Sequence, residues 1–292
     1  MSLKPLKELA WQMTKYTGQL YKMAGRSVSP IEYTFVLKQA GTVVAGLPSA
    51  NNFLGRNLTI EFTGNINCIA CHRALKKTFQ QGYCFSCAQK LASCDLCIVK
   101  PENCHFHLGT CREPDWGMNN CFVPHIVYLA NSSGIKVGVT RETQVPYRWI
   151  DQGAIQSLPI MRVQSRIQAG LIESAIAKHV ADKTNWRKML QGGNEKLDLG
   201  TKRNELFSEL GSTIQEIAAK FKFGQIELLT SEAVNEFDYP VLQYPQKITS
   251  LCFDKSPRIS DTLQGIKGQY LLFDSGVINL RKYTGYEVSI HD

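Results

Sequence analysis

Nine of the ten cysteines fall between Cys68 and Cys121. They run as three C-x-x-C pairs, Cys68/Cys71, Cys84/Cys87 and Cys94/Cys97, followed by Cys104, Cys111 and Cys121. His72 follows Cys71, and His105 and His107 sit beside Cys104. In a chain read as cytoplasmic, thiols at this density suit a metal rather than disulfides. Twelve residues separate the first two pairs, so each pair can form a turn and aim both sulfurs at one tetrahedral ion. Gly82-Tyr83, just before Cys84, supplies the tight turn such a knuckle needs. Cys68, Cys71, Cys84 and Cys87 are therefore expected to hold one zinc.

A second zinc is expected at Cys94, Cys97, Cys104 and Cys111, with His107 the next choice, and an iron–sulfur cluster also fits four thiolates. Both sites read as structural, replacing a missing hydrophobic core, since four filled positions leave no room for a reactive water. A redox role fits poorly, because three successive C-x-x-C pairs do not match a single thioredoxin-like βα unit. Cys252 stands apart and reads as a small buried residue.

A second set of reactive side chains follows. V-Y-L (127–129) and K-V-G-V-T (136–140) flank the turn residues Asn131, Ser132, Ser133 and Gly134, and Arg141 and Arg148 come next. A tyrosine, a lysine and two arginines this close either decorate an ordinary basic hairpin or converge on a phosphate. Taken singly, each has a plain reading. Tyr128 and Lys136 can be strand residues with wet tips, Arg148 a cation–π partner of Trp149, and Arg141 a turn residue or a phosphate contact. His125 and His179 read as packing or cap residues.

Charge favours a polyanionic partner. Residues 1–192 carry 22 Lys+Arg against 11 Asp+Glu, whereas 193–292 carry 11 against 14. A basic front releases counterions when it neutralises phosphates. No stretch approaches the roughly 18–20 apolar residues of a membrane helix, and the start, M-S-L-K-P-L-K-E-L-A-W-Q-M-T-K-Y-T-G, lacks the continuous apolar core of a secretory signal. The expected location is the cytoplasm.

The elements that must position these groups can be read coarsely. E-Y-T-F-V-L-K (32–38) and L-T-I-E-F (58–62) alternate as strands, and Val123 to Thr140 reads as a hairpin. Pro146 breaks the chain before a short helix, R-W-I-D-Q-G-A, ending at Gly153. Residues 163–180 form an amphipathic helix with Ile167, Leu171, Ile172, Ala175, Ile176 and His179 on one face and Glu173 at its edge. A further helix spans about 204–221. Q-I-E-L-L, Q-Y-L-L-F-D and G-V-I-N-L-R-K-Y return to β, and the two ends of the chain are candidates to pair in one β-rich domain.

The hairpin, the arginine twelve residues after Lys136, and a glutamate on the following helix resemble the GIY-YIG nuclease superfamily over residues 122–192. The whole chain, with its C-x-x-C repeats before K-V-G-V-T-R and R-W-I-D-Q-G-A, also resembles a domain-of-unknown-function family of bacterial and archaeal proteins, which implies no activity. The first resemblance implies a three-stranded antiparallel sheet wrapped by helices. It implies that Tyr128 faces the attacking water, that Lys136 stands in the second-motif tyrosine position, and that Gly138 admits the substrate backbone. Arg148 would contact the scissile phosphate, and Glu173 would hold the divalent metal. The first-motif glycine is absent, with His125 or Ile126 in its neighbourhood, and Val127 offers an alternative register for the tyrosine.

That chemistry suits phosphodiester cleavage, which needs a Lewis acid, an in-line water and fixed positive charge. Mg²⁺ or Mn²⁺ keeps waters and can be held by one carboxylate plus substrate phosphate. Arg148 offers a bidentate fork, and Lys136 or Tyr128 can take a proton if its pKa is lowered. The expected architecture is α+β: an N-terminal β-rich segment (1–67), a Cys-rich zinc module (68–121), a GIY-YIG-like nuclease domain (122–192), and a C-terminal helix plus β-rich domain (193–292). The expected function is metal-dependent cleavage of DNA or RNA, with Arg141 as an additional nucleic-acid contact. Two rivals stand beside it. One is a non-catalytic nucleic-acid-binding protein using Arg148 and Lys136 but not Glu173. The other is a zinc-stabilised scaffold that docks a protein partner through its acidic C-terminal region.

Overall fold

The computed structural model describes residues 15–180, 185–193, 195–221 and 224–291. Most of the opening segment read above for a secretory signal lies outside them. The chain enters as strands β1 (Tyr16–Leu20), β2 (Leu37–Gln39), β3 (Thr42–Val43) and the ten-residue β4 (Asn57–Ile66). It then passes through the Cys-rich segment, whose regular structure is limited to 3-10 turns and two short helices, α1 (Phe85–Lys90) and α2 (Pro114–Asn120). Strands β5 (His125–Asn131) and β6 (Ile135–Arg141), helix α3 (Tyr147–Asp151), strand β7 (Gln156–Val163) and helix α4 (Arg166–Ile176) follow. Helices α5 (Trp186–Gln191) and α6 (Leu199–Lys220) lead back to strands β8 (Arg258–Lys267), β9 (Tyr270–Phe273), β10 (Val277–Asn279) and β11 (Tyr286–His291).

The two ends of the chain share one eight-stranded antiparallel sheet, in the order β10-β9-β8-β4-β11-β1-β2-β3. The last strand, β11, lies between β4 and β1, with Ile290 opposite both Ile60 and Tyr16. Buried Leu20, Leu58, Ile60, Leu263, Ile266, Val288 and Ile290 form its core. A central position removes β11 from the edge, where unpaired backbone groups would otherwise invite association. The stretch read as one strand over 32–38 divides in two. Glu32–Thr34 pairs with Ala24–Arg26, whereas β2 pairs with β1 and β3. Tyr33, Phe35 and Leu37 are all buried, so the alternation of side chains continues while the hydrogen-bonding partners change.

The second sheet is built on three antiparallel strands in the order β7-β5-β6, with β5 in the centre. The sheet has five strands rather than three, because Glu227–Leu228 and Asn235–Glu236 return along the outer edge of β7. All seven residues of β5 are buried, and its two faces serve different cores. Val127 and Leu129 pack with Ile167, Ile172 and Ile176 of α4 and Leu206 and Leu210 of α6. Ile126, Tyr128 and Ala130 face the other way, onto Trp149 and Ala154.

Helix α4 is capped by Ser165, whose hydroxyl accepts from the Gln168 N–H. Helix α6 begins earlier than its apolar spacing suggests, at Leu199, because Asp198 caps it through the Thr201 N–H. The architecture is mixed α+β with antiparallel sheets, and no helix among the described residues is long and apolar enough to cross a membrane.

Candidate functional site

The sulfurs of Cys68, Cys71, Cys84 and Cys87 all lie within 4.8 Å of one another. Cys71 Sγ and Cys84 Sγ are 3.7 Å apart. Four thiolates at a Zn–S distance of roughly 2.3 Å around a tetrahedron imply S···S spacings of about 3.8 Å, so the pair has the spacing of co-ligands. Backbone N–H groups point at the sulfurs: Cys84 N to Cys68 Sγ at 3.2 Å and Cys87 N to Cys84 Sγ at 3.3 Å. Burial opposes ionisation of Cys68, but the N–H groups of Cys71, Ala70 and Cys84 outweigh it and bring the thiol down to about 6. The donor set fits a metal ion such as zinc, as the spacing predicts. Gly82 takes φ +117°, and a Cβ there would lie 3.0 Å from side-chain carbons of Ile69 and Thr284.

The other cysteines do not assemble as their spacing suggests. Cys94, Cys97, Cys104 and Cys111 form no common group within the same distance. Cys94 Sγ lies beside Ser93 Oγ at 4.0 Å, and Cys111 Sγ donates to the Glu113 carbonyl at 3.4 Å. Cys97 and Cys104 do meet, but in a chain of thiols that continues to Cys121. His107 turns away to stack edge-on against Phe221, 5.4 Å between ring centres. Loop folding, not residue spacing, sets these partners. Cys252 is half-buried rather than buried, its Sγ 3.3 Å from Asp254 Oδ2.

On the first hairpin, Tyr128 pairs with Gly138, and Ala130 with Lys136. Side chains alternate across a strand, so Tyr128, Lys136 and Gly138 share the face that carries Trp149. Val127 points into the α4–α6 core, which removes it as an alternative to Tyr128. The Tyr128 ring meets Trp149 edge-on at 5.7 Å, so Trp149 turns inward onto the tyrosine. The Tyr128 hydroxyl accepts from Gln152 Nε2 at 2.7 Å and also meets Arg148. Burial raises its pKa, with Glu173 adding and Arg148 and Gln152 opposing. At 1% exposure Tyr128 supports the site from beneath rather than facing bulk water.

Lys136 is held down to about 8, first by burial and then by the Arg148 guanidinium, against the pull of Glu173. Helix α3 presents Arg148, α4 presents Glu173 and β6 presents Lys136, so three separate elements bring Arg148 and Glu173 within electrostatic range of Lys136. Gly138 serves the tyrosine directly: a Cβ there would lie 2.6 Å from the Tyr128 hydroxyl oxygen.

The family match spans both groups. A family model described as a protein of unknown function, DUF2797, matches residues 55–288, about four-fifths of the chain. The chain belongs to the DUF2797 family. No curated protein and no solved structure matches it. The DUF2797 region runs from β4 through the four-cysteine group and the Lys136 face to β11, and leaves β1 to β3 outside.

Within the DUF2797 region, one residue of the site went unread in the sequence. Arg281, on the 3-10 turn Leu280–Tyr283, is pushed below the usual arginine range by burial and then by Arg148. Its Nε donates to Gln81 Oε1 at 2.8 Å, which ties it to the loop just before Cys84. No periodicity or motif marks Arg281, since only the closing of the large sheet brings it to Arg148.

Arg141 belongs elsewhere. It is five residues from Lys136, about 17 Å along the strand, and on the opposite face, where it bonds Asn120 Oδ1 beside Arg166. His125 is buried, with Nδ1 2.7 Å from the Val123 carbonyl, and His179 pairs with Glu209 at 2.9 Å. Both are structural partners, as their sequence contexts suggest.

Proposed function

We propose that this DUF2797 protein is a metal-dependent phosphodiesterase, a hydrolase that cleaves nucleic acid with GIY-YIG-like chemistry. The observation that carries the reading is that Arg148 and Glu173 both act electrostatically on Lys136 and on the buried Tyr128, the residue types the resemblance names. Glu173 would hold Mg²⁺ or Mn²⁺, which supplies Lewis-acid activation of the phosphate. Arg148 presents a planar fork to two phosphate oxygens. Lys136 is the better base of the two candidates, because its amine is partly neutral near pH 8, whereas burial keeps Tyr128 protonated. Tyr128 and Gln152 then orient Arg148 from below. Zinc at the four-cysteine group stiffens the loop that carries Gln81, the partner of Arg281. The basic front of the chain supports a polyanionic substrate.

The experiment is cleavage of labelled single-stranded, duplex and structured DNA and RNA with Mg²⁺ or Mn²⁺, for wild type beside Glu173→Ala. Cutting that requires added metal and is lost in the variant is the expected result. Salt-sensitive binding without cutting by either protein sinks the catalytic reading and leaves a binding protein built on the same surface.

A further inference from the structure

Cys97 faces a set of ligands other than the cysteines its spacing suggests. Its Sγ, a carboxylate oxygen of Asp95 and a ring nitrogen of His105 lie within 4.8 Å of one another. The ring nitrogen nearest Asp95 is Nε2, 3.6 Å from Oδ2. The other nitrogen, Nδ1, is 2.7 Å from Thr110 Oγ1. Thr110 gives its own proton to the His105 carbonyl at 3.3 Å, so its hydroxyl accepts from Nδ1–H. In the neutral ring Nε2 then presents a lone pair toward a carboxylate. A carboxylate oxygen, a ring nitrogen and a thiol at these distances offer a three-donor set to a cation.

We propose that Asp95, Cys97 and His105 form a second metal site, for a divalent cation of the zinc class. An S/N/O donor set suits zinc, and the Asp95 carboxylate and Cys97 thiolate together cancel its two charges. Outer contacts orient each ligand, as metal sites require. Asp95 Oδ1 accepts from the Cys97 N–H at 3.3 Å, and Oδ2 from Arg112 Nε at 2.7 Å. Arg112 is in turn held by the carbonyls of Ala88 and Leu91. Thr110 fixes His105. Cys104, whose sulfur meets that of Cys97, is next in line for the fourth position.

The site has a mechanical consequence. Between Asp95 and His105 the chain forms only 3-10 turns, Leu96–Ile98 and Pro101–Asn103. The second of these presses so closely on α4 that a Cβ at Gly170 would run into the Glu102 backbone N, and lie 2.7 Å from Pro101 Cβ. A metal joining Asp95, Cys97 and His105 closes this loop around Pro101 and stiffens the surface on which α4 rests. Glu173 is three residues further along the same helix. The site itself does not depend on the phosphodiesterase reading, since its ligands are separate from Lys136, Arg148 and Glu173.

The test is zinc content per chain by elemental analysis of the full-length protein, expressed with zinc and dialysed, for wild type, Cys71→Ser and His105→Ala. Two equivalents in wild type and one in each variant are expected. A single equivalent in wild type, or two in His105→Ala, overturns the proposal and leaves His105 as a side-chain neighbour of Asp95 only. Cobalt exchange into wild type covers the case in which His105→Ala does not fold. The second equivalent is expected to show a ligand-to-metal spectrum with fewer thiolates than the first. Absence of a second equivalent, or the four-thiolate spectrum for both, overturns the proposal equally.

Discussion

Tyr128 and Gly138 interlock across the first hairpin, with the tyrosine hydroxyl occupying the space that a side chain at Gly138 would need. Gly138→Ala therefore displaces the ring that supports Arg148. Overpacking of this kind costs about 1–3 kcal/mol. A lowered Tm is expected, and, if the proposed reading holds, nucleic-acid binding should weaken beyond what the loss of stability explains. A variant with unchanged Tm and unchanged binding would show that Tyr128 has room to move.

Gly170→Ala is expected to be worse. The atoms it meets are backbone and proline ring, which cannot rotate away as a flexible side-chain end can. The penalty should reach the upper end of the ~1–3 kcal/mol overpacking range or exceed it. Urea titration should show a lower midpoint than for Gly211→Ala, whose Cβ on α6 meets nothing within 4 Å. Equal midpoints for the two variants would contradict the tight seat of the Cys-rich loop on α4.

Acid should destabilise the protein through His125. Burial, then Arg166 and Arg141, lower its pKa to about 4, against about 6.5 in an unfolded chain. Between those values the unfolded state binds the proton and the folded state does not, so stability rises with pH there. The contribution is full above about pH 6.5 and is lost as pH falls toward 4. His125→Gln should flatten the slope of stability against pH over that window. A slope identical to wild type would remove His125 as its source.

Lys136 gives the opposite readout, in rate rather than stability. With its pKa brought to about 8, only about a tenth of the amine is neutral at pH 7 and half at pH 8. If it takes the proton from the attacking water, kcat/KM should climb through pH 7–8 and level off above. Lys136→Arg keeps the charge but stays protonated, so it should lose most of the rate and the rising limb together. A rate in Lys136→Arg that keeps the wild-type pH profile would transfer the base role to another group.

The sequence by itself determined the four-cysteine group, because two C-x-x-C turns converge over a short, local stretch whose geometry is set by the turns themselves. It likewise determined the hairpin face that joins Tyr128, Lys136 and Gly138, since a period of two leaves one choice once the turn is placed. Helix α4 and its apolar stripe were legible for the same reason of period. Tertiary structure alone decided the rest. Cys97 met Asp95 and His105 beside Cys104, while Cys94 and Cys111 went elsewhere, because in a loop without long helices or strands the partner is chosen by packing against α4. Arg141 fell on the wrong face by a single residue of register. Arg281 reached Arg148 from the turn after β10, more than a hundred residues further along the chain. Contacts that distant in sequence leave no periodic trace, since they arise from chain closure and not from local conformation.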